Sequence, residues 1–101
     1  MVDEGLKHLK GLTELRTLVL HGTKVTDEGL KHLKGLTGLL ELNLSHTKVS
    51  DKGLKHLEKM PSLHNIWVCE NDRLTKEGIA SLRQALIGVN VNVMNKQDGK
   101  K

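Results

Sequence analysis

Residues 15–36 read LRTLVLHGTKVTDEGLKHLKGL, and two periodicities meet inside them. Leu18-Val19-Leu20 alternates in the manner of a short strand with one buried face. Leu30, Leu33 and Leu36 then recur every third residue, which predicts one apolar face of a helix. Between the two, Thr26 stands at an N-cap position. Asp27 and Glu28 follow it in the first turn, where carboxylates meet the positive end of the helix dipole. The stretch therefore encodes a strand followed by a helix.

It is also repeated. VDEGLKHLKGLTEL at 2–15 and TDEGLKHLKGLTGL at 26–39 are near-verbatim copies, and SDKGLKHLEKMPSL at 50–63 is a weaker one. Gly5, Gly29, Gly53 and Gly78 mark the register, 24, 24 and 25 residues apart. Leu6, Leu30, Leu54 and Ile79 occupy one equivalent position, and Leu9, Leu33, Leu57 and Leu82 the next. Leu12, Leu36 and Met60, then Leu15, Leu39 and Leu63, complete the set. In the fourth copy Ala85 and Gly88 fall at these places, so it reads as a degenerate terminal unit. Ser50 and Thr75 repeat the cap at Thr26, and Pro61 helps end the third helix. No unit of this length can bury its own leucines, so neighbours must stack and share a continuous core, with strands parallel on one side and helices on the other.

The pattern Leu15-x-x-Leu18-x-Leu20-x-x-Thr23 resembles the strand segment of leucine-rich repeats. The TDxGLxxLxxL half is similar to the short, roughly 24-residue bacterial repeats and the related cysteine-containing class. The resemblance implies an α/β leucine-rich-repeat solenoid, right-handed by the general rule for parallel crossovers. About four strands would line its concave side and helices its convex side. The units expected are 2–25, 26–49, 50–74 and 75–95, followed by a disordered basic tail at 96–101. The asparagine of the repeat pattern is replaced by Thr23 and Thr47 and kept at Asn71, so hydroxyls are expected to make most of any ladder to neighbouring backbone. The function implied is a protein–protein interaction module, not an enzyme.

Composition narrows the classes further. With 101 residues, 37% of them hydrophobic and with Phe and Tyr absent, one small domain filled by aliphatic side chains is expected. The net charge of +4 is modest, and the segment 96–101 holds three lysines against one aspartate. That is well short of a nucleic-acid footprint. The single Cys69 excludes an internal disulfide, and no signal pattern or membrane-length apolar run is present, which points to the cytoplasm.

The repeated Lys-His-x-Lys invites a functional reading. Lys7, His8 and Lys10, Lys31, His32 and Lys34, and then Lys55 and His56 should face outward from the helices. Asp3 with Lys7, Glu4 with His8, Asp27 with Lys31 and Glu28 with His32 stand at i,i+4. A shared metal on His8, His32 and His56 is disfavoured, because stacked helices are ~8–10 Å apart and a zinc–nitrogen bond is about 2 Å. No metal or cofactor is expected. The rows read as scaffold.

Variation collects instead on the outward strand positions, which form three columns: Thr17, Glu41, Asn65, Asn90; Val19, Asn43, Trp67, Asn92; and His21, Ser45, Cys69, Met94. Solenoids bind partners on this surface. Trp67, the one aromatic of the Phe/Trp/Tyr class, is the natural anchor, ringed by Asn43, Asn65, Asn92 and Cys69, with Val19, Glu41 and His21 extending the expected contact surface. Its alternative role is to cover a short sheet. Catalysis by His21, Ser45 and Cys69 is not expected, since strands ~4.8 Å apart hold His21 and Cys69 too far apart for a thiol–imidazole bond. An idealised scaffold without a partner, a substrate-recognition fragment of a ubiquitin-ligase adaptor, and an RNA or DNA contact through the lysines are the competing readings. The strand near Thr17–Leu20 would be an open edge, which leaves three readings: a fragment of a longer array, a first helix folded over as a lid, or self-association of two copies there.

Overall fold

A spacing of three, rather than three and four, produces tight turns. In the computed structural model, which describes residues 3–9 and 11–93, α1 (Asp3–Leu6) and α2 (Asp27–Leu30) are single α-turns. They tighten into 3-10 segments at Lys7–Leu9 and Lys31–Leu33. Beyond them each leucine N–H donates to the carbonyl of the leucine three residues back: Leu36 to Leu33 at 2.9 Å, Leu39 to Leu36 at 3.1 Å. The same pair of bonds recurs at Leu12 and Leu15 and at Met60 and Leu63. Residues i and i+3 eclipse one another in such turns, so a leucine at every third position keeps all of them on one side. The helices are shorter than expected in the first two copies, and spacing alone does not decide this, since Leu54, Leu57 and Met60 carry the same spacing in the third. Longer runs of α-helix form at α3 (Asp51–Leu57) and α4 (Lys76–Ala85).

The fourth copy corrects the alignment made from sequence. Ala85 is exposed and Leu86 is buried. Leu86 N–H donates to Leu82 O at 3.0 Å, an α-type bond, and Val89 N–H then donates to Leu86 O at 3.0 Å. Ile79, Leu82 and Leu86 thus follow the three-then-four spacing of an α-helix. Leu86 and Val89 fill the places assigned to Ala85 and Gly88, and Gly88 sits between them at φ 91°.

Four three-residue strands, β1 (Thr17–Val19), β2 (Glu41–Asn43), β3 (Asn65–Trp67) and β4 (Asn90–Asn92), form one parallel sheet in sequence order. Leu18, Leu42, Ile66 and Val91 stand side by side on its inner face. There they join Leu20, Leu44, Val68 and the turn leucines in a single core. At the β1 edge Leu6 and Leu20 are buried, while Leu9, Leu15 and Leu18 are only partly covered and Leu12 is 48% exposed. No described helix is long and apolar enough to cross a membrane. Lys10, Met94 and the 96–101 tail lie outside the described residues.

What fixes one repeat to the next is a carboxylate. Asp3, Asp27 and Asp51 each reach forward to the N-cap residue of the following helix. Thr26 donates its N–H to Asp3 Oδ1 at 2.7 Å and its hydroxyl to Oδ2 at 2.5 Å. Ser50 does the same to Asp27 at 2.7 and 2.5 Å, and Thr75 to Asp51. The caps themselves form as the sequence predicts: Thr26, Ser50 and Thr75 accept from the N–H groups of Glu28, Lys52 and Gly78. The i,i+4 pairing expected of Asp3 and Asp27 is absent because their oxygens are committed elsewhere. The ion pairs present among the described residues are Lys7–Glu4 at 4.0 Å and Lys31–Glu28 at 2.6 Å, both at i,i+3.

The carboxylate also explains the glycine that marks the register. A Cβ at Gly29, Gly53 or Gly78 would collide with Asp3, Asp27 or Asp51 respectively. At Gly78 the three nearest atoms all belong to Asp51. Gly78→Ala is therefore expected to destabilise the protein by about 1–2 kcal/mol, a typical cost of overpacking. In an Asp51→Ala background the same change should instead stabilise by about 0.5–1 kcal/mol, the helical preference of alanine over glycine. A double-mutant cycle by urea unfolding checks this, and additive effects would show that the notch does not belong to Asp51.

The hydroxyl ladder is likewise corrected. Thr23 and Thr47 donate within their own repeats, to Leu20 O at 2.8 Å and Leu44 O at 2.7 Å. Of the three ladder residues Asn71 is the one whose side chain reaches backbone of the preceding repeat, donating to Leu44 O at 2.9 Å and accepting from Thr47 N–H at 3.2 Å.

Candidate functional site

The face of the sheet away from the helices carries the variable columns in the predicted register. Thr17, Glu41, Asn65 and Asn90 pair across the four strands, as do Val19, Asn43, Trp67 and Asn92. The first column is hydrogen-bonded along its whole length. Thr17 Oγ1 donates to Glu41 Oε1 at 3.2 Å, Asn65 Nδ2 to Glu41 Oε2 at 3.4 Å, and Asn90 Nδ2 to Asn65 Oδ1 at 3.1 Å. These side chains hold one another in place, and Glu41 is clasped from both sides.

The second column is mixed. Asn43 Oδ1 accepts from the Ser45 N–H at 2.9 Å, and Asn92 Nδ2 donates to Ile66 O at 3.3 Å, so both amides brace the backbone. Val19 is 63% exposed, and Trp67 is half-buried. Thr17, Leu18, Val19, Glu41, Asn43 and Trp67 enclose a shallow depression of about 160 Å³. Every one of them except Leu18 belongs to the first two columns read from the sequence. Leu18 lies between Thr17 and Val19 on the same strand, with its side chain packed against the core on the inner face.

The third column does not form a single open row. Ser45 is 4% exposed, and its Oγ accepts from the Cys69 N–H at 2.9 Å, so it closes a repeat junction. Cys69 is half-buried, with its Sγ 3.6 Å from Asn92 O. His21 remains exposed, but its ring lies beside His46, centroid to centroid 4.9 Å, rather than beside Ser45. His46 takes up a left-handed turn at φ 59°, as Glu70 does one repeat later at φ 58°. Sequence reasoning missed this neighbour because the turn carries His46 out of strand alternation. Among the described residues no three His, Cys, Asp or Glu side chains are grouped to hold a metal ion.

On the helix side, Lys7, Lys31 and Lys55 are exposed, and the first two are paired with glutamates of their own turns.

A parallel sheet in sequence order with one face packed on turns and helices, repeated four times, defines an α/β solenoid. Residues 11–34 and 36–57 match a family model described as Leucine Rich repeat, and with the stacked architecture this makes the chain a leucine-rich repeat protein. Among curated proteins none matches it significantly. Leucine-rich repeats generally mediate protein–protein interaction and are typically non-enzymatic.

Proposed function

We propose that this protein binds a protein partner on the outward sheet face, the concave side of the coil. Trp67 is the anchor, Val19, Asn43, Glu41, Asn65 and Asn92 lie near it on the sheet, and His21 extends the contact surface beyond β1. The observation that carries this reading is the depression between Val19 and Trp67: apolar side chains stay accessible there inside a frame of hydrogen-bonded polar ones. An aromatic ringed by ordered polar groups is the usual composition of an interface hot spot. Trp67 has a further unused capacity, because its indole N–H finds no acceptor among the described residues. The lone thiol, Cys69, fits a reducing compartment such as the cytoplasm.

The test is affinity capture with wild type, Trp67→Ala and a Lys7→Glu/Lys31→Glu/Lys55→Glu variant, each checked for a native circular-dichroism melt. Trp67→Ala is expected to lose its partners and the lysine variant to keep them. Loss in the lysine variant alone would move the interface to the helix side. Trp67→Ala should cost about 2 kcal/mol or more in binding, the range for a hot-spot residue.

A second reading rests on the β1 edge, where Leu12 and Leu18 are partly uncovered and the strand has one unpaired side. Self-association there would appear as a concentration-dependent mass in light scattering, and Leu12→Glu should abolish it.

A further inference from the structure

Within the interface just proposed, one side chain differs from the rest. Glu41 is the only Asp, Glu, Lys or Arg in the three outward columns of a chain whose net charge is +4. No described lysine or arginine pairs with it. Its two oxygens are instead held by neutral donors, Thr17 Oγ1 and Asn65 Nδ2, at 3.2 and 3.4 Å. A carboxylate fixed by neutral neighbours keeps its charge directed at whatever approaches the sheet.

Glu41 and Trp67 are diagonal neighbours, since Glu41 pairs with Asn65 and Trp67 with Asn43, and both line the same depression. Side chains at that relation start ~7–8 Å apart. A guanidinium or ammonium group between them can lie ~2.7–2.9 Å from a carboxylate oxygen and within about 6 Å of an indole centroid, the ranges for a charge-assisted bond and a cation–π contact. Val19, on the other wall, gives an apolar surface to the methylene stem of such a side chain.

We infer that the depression is a subsite for an arginine or lysine side chain, so the partner is a protein segment with a basic residue at its centre. This rests on the concave-face reading, and the experiment separates the two. A phage-displayed random peptide library is panned against the wild-type protein, and the selected peptides are titrated against variants while Trp67 fluorescence is followed in those that retain it. Trp67 is the one tryptophan of the chain, so with peptides that lack Trp that emission comes from this site alone.

The selected peptides should share an arginine or lysine. Glu41→Gln, which keeps one oxygen to accept from Asn65 Nδ2 and can donate its amide N–H to the Thr17 hydroxyl in place of accepting from it, removes the charge and should weaken them about tenfold or more, as loss of a charged partner does. Replacing the basic residue of the peptide by norleucine should weaken wild-type binding at least as much, and weaken Glu41→Gln binding far less, since only the contact with Trp67 is left to lose there. Trp67→Phe should retain part of the affinity and Trp67→Ala should lose it.

Peptides without a common basic residue that still depend on Trp67 would overturn the subsite and leave the concave-face reading standing. Peptides indifferent to Trp67→Ala would overturn both, as would a library that yields no binder.

Discussion

Asp27→Ala is expected to lower the unfolding free energy by about 3 kcal/mol, because two hydrogen bonds to a charged acceptor disappear together and each is worth roughly 1.5–3 kcal/mol. Asp27 is the first residue of α2, yet both of its oxygens serve the next helix, accepting from the N–H and hydroxyl of Ser50 at 2.7 and 2.5 Å. Ser50 in turn caps α3 through the Lys52 N–H. Removing the carboxylate therefore leaves the Ser50 N–H without its acceptor and loosens the start of α3. It also empties the space kept open by Gly53. Asp27→Asn retains an oxygen for the backbone N–H but presents an amine to the hydroxyl, so about half the loss is expected. Urea unfolding of the three proteins measures this. A loss below about 0.5 kcal/mol for the alanine variant, the range of an ordinary surface change, would show that the carboxylate is ornamental.

Leu42→Ala should cost about 3–4 kcal/mol, within the range for a truncated core leucine. Leu42 is 0% exposed and lies on β2, an interior strand, between Leu18 and Ile66. Collapse into the cavity is resisted on both sides, since β2 is hydrogen-bonded to β1 and to β3 and the Asp27 junction holds the turns behind it. With a domain of this size, each kcal/mol moves the melting temperature by about 4–8 °C, so thermal scanning should show a fall on the order of 15–20 °C. Leu18→Ala is the comparison. Its side chain is only partly covered at the sheet edge, and the fall should be less than half as large. Equal losses at 18 and 42 would mean that the edge is as well packed as the centre.

The sheet is legible because its signal has a period of two and recurs in every copy. Leu18, Leu42, Ile66 and Val91 pair across the strands in the order that the repeat register gives them, and the outward columns through Glu41 and Trp67 follow from parity. The turns are less legible. A spacing of three keeps leucines on one side and so suggests a helix, although sustained it favours 3-10 turns, and only Ile79-Leu82-Leu86 has the α pattern. The aspartates escape a sequence reading for a different reason. A carboxylate in a first turn has a local reading, through the dipole or an i,i+4 lysine, and a distant one across 23 residues, and only coordinates show that Thr26 and Ser50 claim it. The clue is the recurrent company of Asp and Gly in TDEG and SDKG, which local helix chemistry leaves unexplained. For the site, placement is readable and side-chain commitment is not. Ser45 lies on an outward column by count, yet its hydroxyl is spent on the Cys69 backbone.

The junction between repeats also has a polarity. Each internal block brings a glycine notch and a hydroxyl cap to its predecessor and an aspartate to its successor, so a tandem copy of residues 26–49 spliced in place would carry both halves of the joint with it. The series closes at Lys76, which stands where Asp27 and Asp51 stand in the preceding blocks and offers an ammonium in place of an acceptor. Growth of such an array by internal duplication needs no new chemistry, whereas extension beyond α4 would have to invent its own fastening.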